Sequence, residues 1–505
     1  MKSPILGSSY VARSVNAADN RMINLFPEIV PEGGKEAAFL QRAPGLRLLA
    51  TVGEGPIRGL WQVGNYGYVV SGNNLYQVDS TWQIVNLGLV SGSGPVSISD
   101  NGTQIFIACN PEGFIYNTKT DELKKIDDPD FPGAVTVGYL DGYFVFNPPN
   151  SQQVWVTSLL DGLSIDPLEF ASAEGAPDGL VALIVDHREV WLYGTNSVEV
   201  WYDAGTTDFP LQRIQGAFNE IGCVAPYSVA KMDNGLFWLG ADARGRGIVY
   251  RANGYTGTRI STHAIEWQIQ SYGNISDAIA YTYQQDGHSF YVLTFPSANA
   301  TWVYDVATQA WHERAGWDNG VFTRHRSNCQ MAFNSEIVVG DYANGNIYAF
   351  DLDDYSDNNG IQKWLRSWRA LPTGTNNLKR TAHHSLQLDA EAGFYLPPVG
   401  TENNLVTEDN FLLTTENGLH IITGTQTLTN PAPTAMLRWS DDGGHTWSNE
   451  HWQPMGAIGQ YGQRIIWRRL GMTLKLRDRV YEVSGTDPNK IAIMGAELFV
   501  TPTNA

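Results

Sequence analysis

The segment with the most distinctive side-chain spacing runs from Ser440 to Trp447 and fits the pattern S-x-D-x-G-x-T-W. The carboxylate of Asp442 can accept hydrogen bonds from the backbone N–H groups of a tight turn. Gly444 can adopt a turn conformation that residues with a side chain resist. Thr446 completes the pattern, and Trp447 is placed to pack against the base of a hairpin. We therefore expect a structural turn whose chemistry is local hydrogen bonding.

Adjacent pairs of aspartates are the other candidates for chemistry, because glycoside hydrolysis uses two carboxylates that flank a sugar bond. These pairs are Asp127-Asp128, Asp353-Asp354 and Asp441-Asp442. Neighbouring side chains of an extended chain point to opposite sides, so each pair fits a surface turn better than a catalytic site.

The pattern at 440–447 resembles the Asp-box hairpin of sialidases and related propellers, a folding motif that lies away from their chemistry. A single copy is present, and the three arginines that would clamp a sugar carboxylate are not recovered. A carbohydrate-binding or glycan-hydrolysing propeller is therefore kept as the alternative function, and the chain is not expected to be an enzyme.

Patterns that could hold a metal or a cofactor are weak. His383-His384 and His312-Glu313 lack a partner one helical turn away, which a helical zinc site would need. The acidic segment 351–357 lacks the spacing of a calcium loop. The glycine-rich segment 53–59 contains a proline and no lysine, so it does not fit a phosphate-binding loop. No catalytic residue, cofactor or metal site is predicted.

Basic residues concentrate in one short stretch near the C-terminus. They are a candidate interface and comprise Arg464, Arg468, Arg469, Lys475, Arg477 and Arg479. Three interpretations stay open: a solvated face, an interface with an acidic neighbour such as the propeller of an adjacent subunit, and a grip on DNA. The DNA interpretation is the least favoured, because the chain carries a net charge of −19 and would repel a polyanion.

The acidic balance is uneven along the chain. Residues 361–505 contain 13 basic and 13 acidic residues, so the whole net charge of −19 lies in residues 1–360. The chain has three cysteines without C-x-x-C spacing and no signal-peptide pattern, which favours free thiols in a reducing compartment at synthesis. No run of about 18 apolar residues is present, so we expect no membrane anchor.

The elements that must position these groups repeat about every 40 to 50 residues, the spacing typical of propeller blades. A short apolar strand is followed by a turn and a second apolar strand, as in Tyr66–Val70 and Leu75–Val78, or Val190–Tyr193 and Val198–Trp201. Seven such pairs are present, although six blades are possible. More polar outer strands follow several pairs, because outer strands meet water.

The chain is thus predicted to be all-β, with a β-propeller followed by an antiparallel β-sandwich. Residues 1–45 form an N-terminal leader that packs on the body, residues 46–365 form the propeller, and residues 366–505 form the sandwich. An insertion at 393–434 is too long for a passive loop. It is either a β-hairpin arm or a mobile contact loop.

Several segments together resemble one family, the tail hub or nozzle proteins of short-tailed phages, also called packaged DNA stabilisation proteins. They are 21–27, 42–45, 194–201, 437–448 and 461–471. The similarity covers nearly the whole chain as an order of elements, and the two C-terminal segments are its specific part. The insertion at 393–434 departs from the shorter family pattern.

The resemblance implies a homohexameric ring in the virion that extends the channel of the portal and its adaptor ring. A plug or needle would close the ring, and tail fibres or tailspikes would attach outside. The ring would retain packaged double-stranded DNA and conduct it at ejection without sequence-specific binding. The protein would be made in the host cytoplasm, and the acidic balance of the propeller fits a lumen that lets a polyanion pass.

Overall fold

The computed structural model describes residues 1–11, 13, 19–31, 34, 36–173, 175–176, 178–206, 209–242, 245–370, 380–393, 432–473 and 479–503. Over these residues the chain forms 46 strands, one α-helix and one 3-10 helix. The first six strands precede the propeller and are β1 (Lys2–Ser3), β2 (Tyr10–Val11), β3 (Asp19–Asn20), β4 (Met22–Ile23), β5 (Leu25–Ile29) and β6 (Ala38–Arg42).

Seven antiparallel sheets with four strand positions each form the blades of a propeller. The first of these strands along the chain, β7 (Gly45–Thr51), belongs to the seventh blade and is its outermost strand. The strands of blades 1 to 3 are β8 (Ile57–Val63), β9 (Tyr66–Ser71), β10 (Asn74–Val78) and β11 (Ile84–Leu89); β12 (Ser97–Asp100), β13 (Gln104–Cys109), β14 (Glu112–Asn117) and β15 (Glu122–Lys125); and β16 (Thr136–Leu140), β17 (Tyr143–Asn147), β18 (Gln153–Val156) and β19 (Phe170–Ser172).

Blades 4 to 6 follow the same order, with the inner strand of blade 5 in two pieces that flank the 3-10 helix Pro226–Ser228. Their strands are β20 (Leu180–Asp186), β21 (Glu189–Gly194), β22 (Val198–Asp203) and β23 (Leu211–Asn219); β24 (Gly222–Cys223), β25 (Ala230–Met232), β26 (Gly235–Asp242), β27 (Gly245–Asn253) and β28 (Thr256–Arg259); and β29 (Ile279–Gln285), β30 (His288–Phe295), β31 (Ala300–Asp305) and β32 (Ala310–Glu313). The helix α1 (His263–Ser271) joins blades 5 and 6, and Thr262 caps its N-terminus.

Blade 7 is closed by the beginning of the chain. A hairpin of β33 (Ala315–Asp318) and β34 (Val321–Arg324) leads into β35 (Ser327–Phe333), β36 (Glu336–Asp341) and β37 (Asn346–Asp351). The outermost strand of this blade is β7, which pairs antiparallel with β37. First and last parts of the propeller thus share one sheet, so the ring of blades has no open seam.

The apolar side chains of the blades form one core between each pair of neighbouring blades. Seven such cores are present over the described residues, and the last joins blade 7 to blade 1 through residues such as Phe333, Val338 and Val69. Middle strands are buried on both faces, as in β13, whereas outer strands such as β11 and β15 are largely exposed. This gradient is the reason that the middle strands read as continuous apolar runs.

The second unit is a sandwich of two sheets. Its strands after the short hairpin β38 (Ser356–Asp357) and β39 (Gly360–Ile361) are β40 (Trp364–Arg369), β41 (Thr381–Ala390), β42 (Thr434–Ser440), β43 (His451–Pro454), β44 (Ile465–Arg468), β45 (Val480–Gly485) and β46 (Ala492–Pro502). One sheet has the order β44-β41-β46-β6-β5, and the other ends in β4-β40-β45-β42-β43. Trp364, Trp368, Leu386 and Trp467 belong to the buried core between them.

The sandwich is attached to the outer side of blades 6 and 7. Strand β4 pairs in parallel with β32, the outer strand of blade 6, so one nine-stranded sheet runs from the propeller into the sandwich. Arg42, at the end of β6, donates hydrogen bonds to the carbonyls of Tyr355, Asp487 and Asn489. These bonds tie the leader, the linker after blade 7 and a sandwich loop together.

The structure confirms an all-β chain with a propeller followed by an antiparallel sandwich, and the number of blades is seven. The blades extend from Gly45 to Asp351, and β40, which follows, is a sandwich strand. Four of the strands described in the segment 1–45, namely β1, β4, β5 and β6, belong to the two sandwich sheets. Of the insertion 393–434, residues 394–431 lie outside the described residues.

Candidate functional site

The turn at 440–447 follows the end of β42, and its hydrogen bonds converge on one carboxylate. Asp442 Oδ1 accepts the hydroxyl of Ser440 at 2.6 Å and the backbone N–H groups of His445 and Thr446 at 3.0 and 2.9 Å. Asp442 Oδ2 accepts the Thr446 hydroxyl at 2.6 Å. These bonds hold the pKa of Asp442 well below its usual range.

The backbone of this turn needs glycine. Gly443 and Gly444 have φ angles of 78° and 102°, in the region that favours glycine. The N–H of Gly444 donates to the Ser440 hydroxyl at 2.8 Å. Trp447 is half-buried, and the Arg438 guanidinium lies 4.7 Å from the centre of a Trp447 ring. With its oxygens engaged in the turn, Asp442 is placed for structure, and no specific observation favours the glycan-hydrolysing alternative.

The neighbouring Asp441 has a different partner, Arg479. The two side chains make a bidentate ion pair with both N–O distances at 2.7 Å, and Arg479 also donates to the Leu470 carbonyl at 2.6 Å. Arg479 is only 1% exposed. It therefore anchors the turn inside the domain and is not part of an exposed basic face, contrary to its place in the candidate interface.

Three members of the candidate interface do lie together on the surface. Arg464, Arg468 and Arg469 are exposed at β44, which is the edge strand of its sheet among the described strands. Arg464 donates to the Gln387 side-chain carbonyl at 3.0 Å, and none of the three makes an ion pair with a described residue. Lys475 and Arg477 lie outside the described residues.

A buried charged cluster joins the leader to blade 6, and it could not be predicted from the sequence because its members are far apart along the chain. His288, only 4% exposed, lies between Asp305, at 2.8 Å, and Glu28 of β5. Burial alone would lower the pKa of His288, but its hydrogen bonds to Asp305 and Glu28 outweigh that and raise it to about 9. The ring of Phe26 packs edge-on against His288 with centroids 5.1 Å apart. A protonated His288 thus holds β5 against the propeller.

A cavity of about 550 Å³ lies along the centre of the propeller. All seven blades contribute to its lining, including Trp61, Tyr139, Tyr227, Tyr281 and Cys329. This volume is typical of small-molecule sites. It cannot enclose a DNA duplex, whose major groove alone is about 12 Å wide.

Over the described part of the chain, no group of three or more His, Cys, Asp and Glu side chains is arranged to hold a metal ion. Within the same residues, no helix has both the length and the apolar character needed to cross a membrane.

Comparison with protein families gives two matches that follow each other along the chain. Residues 1–355 match the family model described as "Bacteriophage P22 Gp10, beta-propeller", and residues 391–501 match the model described as "Bacteriophage P22 Gp10, beta-sandwich". No curated protein matches the chain.

Solved structures with some likeness include the computationally designed Ika8 protein, with 13% identity, a TM-score of 0.39, and coverage of 60% of this chain and 99% of that one. A chain of the mitotic checkpoint complex has 12% identity and a TM-score of 0.39, and the match covers 65% of this chain and 97% of that one. A streptogramin B lyase has 10% identity and a TM-score of 0.38, and the match covers 65% of this chain and 98% of that one.

Proposed function

Because this chain belongs to the bacteriophage P22 Gp10 family of tail hub proteins, we propose that six copies form a ring at the end of a short phage tail. The chain is a structural protein of the phage tail, and its place is the virion. The observation that carries the proposal is the pair of consecutive matches, which assigns both the propeller and the sandwich to the same family.

The function of such a ring is mechanical. It continues the channel of the portal and its adaptor, retains the packaged DNA, and becomes the conduit when a plug or needle leaves. The central cavity supports a conduit formed between subunits, because about 550 Å³ inside one propeller cannot pass a duplex. A ring of copies provides an opening that one copy lacks.

The negative charge of the propeller supports a channel through which DNA passes without binding to the protein. The net charge of −19 belongs to residues 1–360, which include all the blades. Since like charges repel over a screening length of about 8–10 Å, DNA that moves along this surface makes few lasting contacts. Specific binding to DNA sequence is not part of the proposal.

The partners are the adaptor ring above, the plug or needle below, and tail fibres or tailspikes outside. The insertion 393–434 is proposed as a docking arm for these outer proteins, and synthesis takes place in the host cytoplasm. The proposal assigns the chain no catalytic step.

The test is a phage that cannot make this protein, propagated on a host that supplies it or does not. Particles from the non-supplying host should package DNA and then lose it, so that the DNA per head falls severalfold while the portal and adaptor stay present. Normal DNA content and normal infectivity without the protein would overturn the proposal.

A further inference from the structure

Three leucines in one connection of blade 3 have exposed side chains. Leu159, Leu160 and Leu168 are 60%, 61% and 78% exposed, and all lie in the connection between β18 and β19. Leu159 and Leu160 lie against the turn at Gly142, at the same end of the blade. A soluble chain that exposes neighbouring leucines to this extent has an apolar surface that favours burial against a partner.

Three acidic residues accompany these leucines, which we call the leucine patch (Leu159, Leu160, Leu168). Asp161, Asp166 and Glu169 lie in the same connection, and none makes an ion pair with a described residue. Among the described residues, the Asp166 carboxylate accepts only a local N–H, from Leu168 at 2.9 Å. A fitting partner therefore has an apolar centre and unpaired cations.

The sandwich carries a surface of that kind on the outer face of its β44-β41-β46 edge. Arg468 and Phe499 both stand opposite Ser385 in the strand register, so they lie in one row across the sheet. Phe499 is 60% exposed, and Arg464 and Arg469 lie nearby without ion pairs to described residues. We call this surface the arginine patch (Arg464, Arg468, Arg469, Phe499).

The two patches lie at opposite ends of the subunit. In a ring of seven blades, blade 3 is opposite the junction of blades 6 and 7, where the sandwich is attached. Within the sandwich, β5 contacts the propeller through the Glu28–His288 pair, whereas β44 is the far edge of the same sheet. One chain therefore cannot bring its own two patches together.

We propose that the arginine patch of one copy binds the leucine patch of the next copy, head to tail. Such an interface joins two different surfaces, and when the rotation between copies closes, it generates a ring. Apolar contact through Phe499 would bury the leucines, and the arginines would pair with Asp161 and Asp166. This inference rests on the proposed ring and specifies the surfaces that form it.

The direct test is cross-linking in assembled tails. Particles built with a chain carrying both Leu160→Cys and Arg468→Cys are treated with a short bismaleimide. The pair should give a ladder of covalent oligomers up to six copies, whereas either single variant should give none. A control pair, Leu89→Cys with Arg468→Cys, uses a leucine that is 63% exposed on blade 1 and should also give no ladder.

A second measurement uses substitutions in either patch that are expected to leave the fold unchanged, and it counts the particles that carry this protein. Leu159→Asn with Leu160→Asn, or Arg464→Glu with Arg468→Glu, should lower the number of particles that carry this protein at least tenfold. Arg246→Glu, at an exposed arginine on blade 5, should have no effect. Circular dichroism and melting of the purified variants should match the parent chain.

The outcomes separate the two proposals. Six-copy rings that form normally with both patch variants and give no ladder would overturn the interface and leave the ring intact. Tails in which the unaltered protein forms no ring would overturn the ring, and this interface with it. If a patch variant melts far below the parent chain, its effect on assembly is not used. The cross-linking experiment then decides, because its cysteine substitutions do not disrupt the patches.

Discussion

The Asp442 carboxylate accepts four hydrogen bonds within the turn that it organises. We predict that Asp442→Ala lowers the melting temperature of the protein, because two backbone N–H groups and two hydroxyls lose their acceptor. The depressed pKa sets the pH range: the stabilisation is present above the ordinary pKa of aspartate, about 4, and is lost as the pH falls through the lower folded value. Melting curves of the parent and variant chains from pH 7 down to about pH 2 measure it.

The matched control for this turn is His445→Ala. His445 is exposed and contributes its backbone N–H to Asp442, which alanine retains. Its melting temperature should match that of the parent chain. If Asp442→Ala and His445→Ala behaved alike, the role given to the carboxylate would be wrong.

His288 gives the protein a pH dependence of the opposite sign. Its pKa is raised to about 9 between Asp305 and Glu28. The stabilisation is therefore complete below the ordinary histidine pKa, about 6.5, and is lost as the pH rises through about 9. Stability should fall by about 3 kcal/mol across this range, and His288→Gln should remove this pH dependence. An equally steep fall in the variant would contradict the assignment.

The sequence predicted the turn at 440–447 but not the buried ion pair between Asp441 and Arg479 beside it. The S-x-D-x-G-x-T-W spacing is local, so the roles of Asp442 and Gly444 can be deduced without knowing the fold. Arg479 lies in a basic stretch of the sequence, so its side chain is expected to be solvated. In the structure, the side chain is buried and makes a bidentate ion pair with Asp441. That pairing joins residues 38 positions apart and has no local signal.

At the scale of elements, β7 holds the two ends of the propeller together. Leu46 of this strand is fully buried between blades 6 and 7, whereas Leu48 on the same strand is 44% exposed. Leu46→Ala should lower the free energy of unfolding by about 2–5 kcal/mol, as is usual for a truncated core leucine. Leu48→Ala should change it by about 0.5 kcal/mol or less. Similar losses for both variants in denaturant unfolding would show that β7 does not close the ring.

The paired middle strands of the blades could be predicted because they are apolar on both faces and lie next to each other in sequence. Tyr66–Val70 and Leu75–Val78, for example, fall in β9 and β10. The closure of blade 7 could not be predicted in this way, because β7 and β37 are about 300 residues apart. The leader strands β4, β5 and β6 are short, and their place in the sandwich depends on the same kind of long-range pairing.

For the molecule as a whole, we predict that the insertion 393–434 serves the attachment of outer tail proteins and is not needed for the folding of the sandwich. Its flanks are fixed in the sandwich: the Gly393 carbonyl accepts the N–H of Gly459, and Thr434 begins β42. Deletion of residues 396–430 should leave the melting temperature nearly unchanged and remove fibres or tailspikes from assembled tails. Electron microscopy of the particles measures the second effect. Loss of folding on deletion would show that the segment is part of the sandwich core.

The most direct test of the central claim is an electron cryo-microscopy reconstruction of the virion tail. It should show six copies of this chain in one ring below the adaptor, each with a seven-bladed propeller and a sandwich, around an opening wide enough for duplex DNA. A tail in which this chain is absent, or is present without a closed ring on the DNA path, would contradict it.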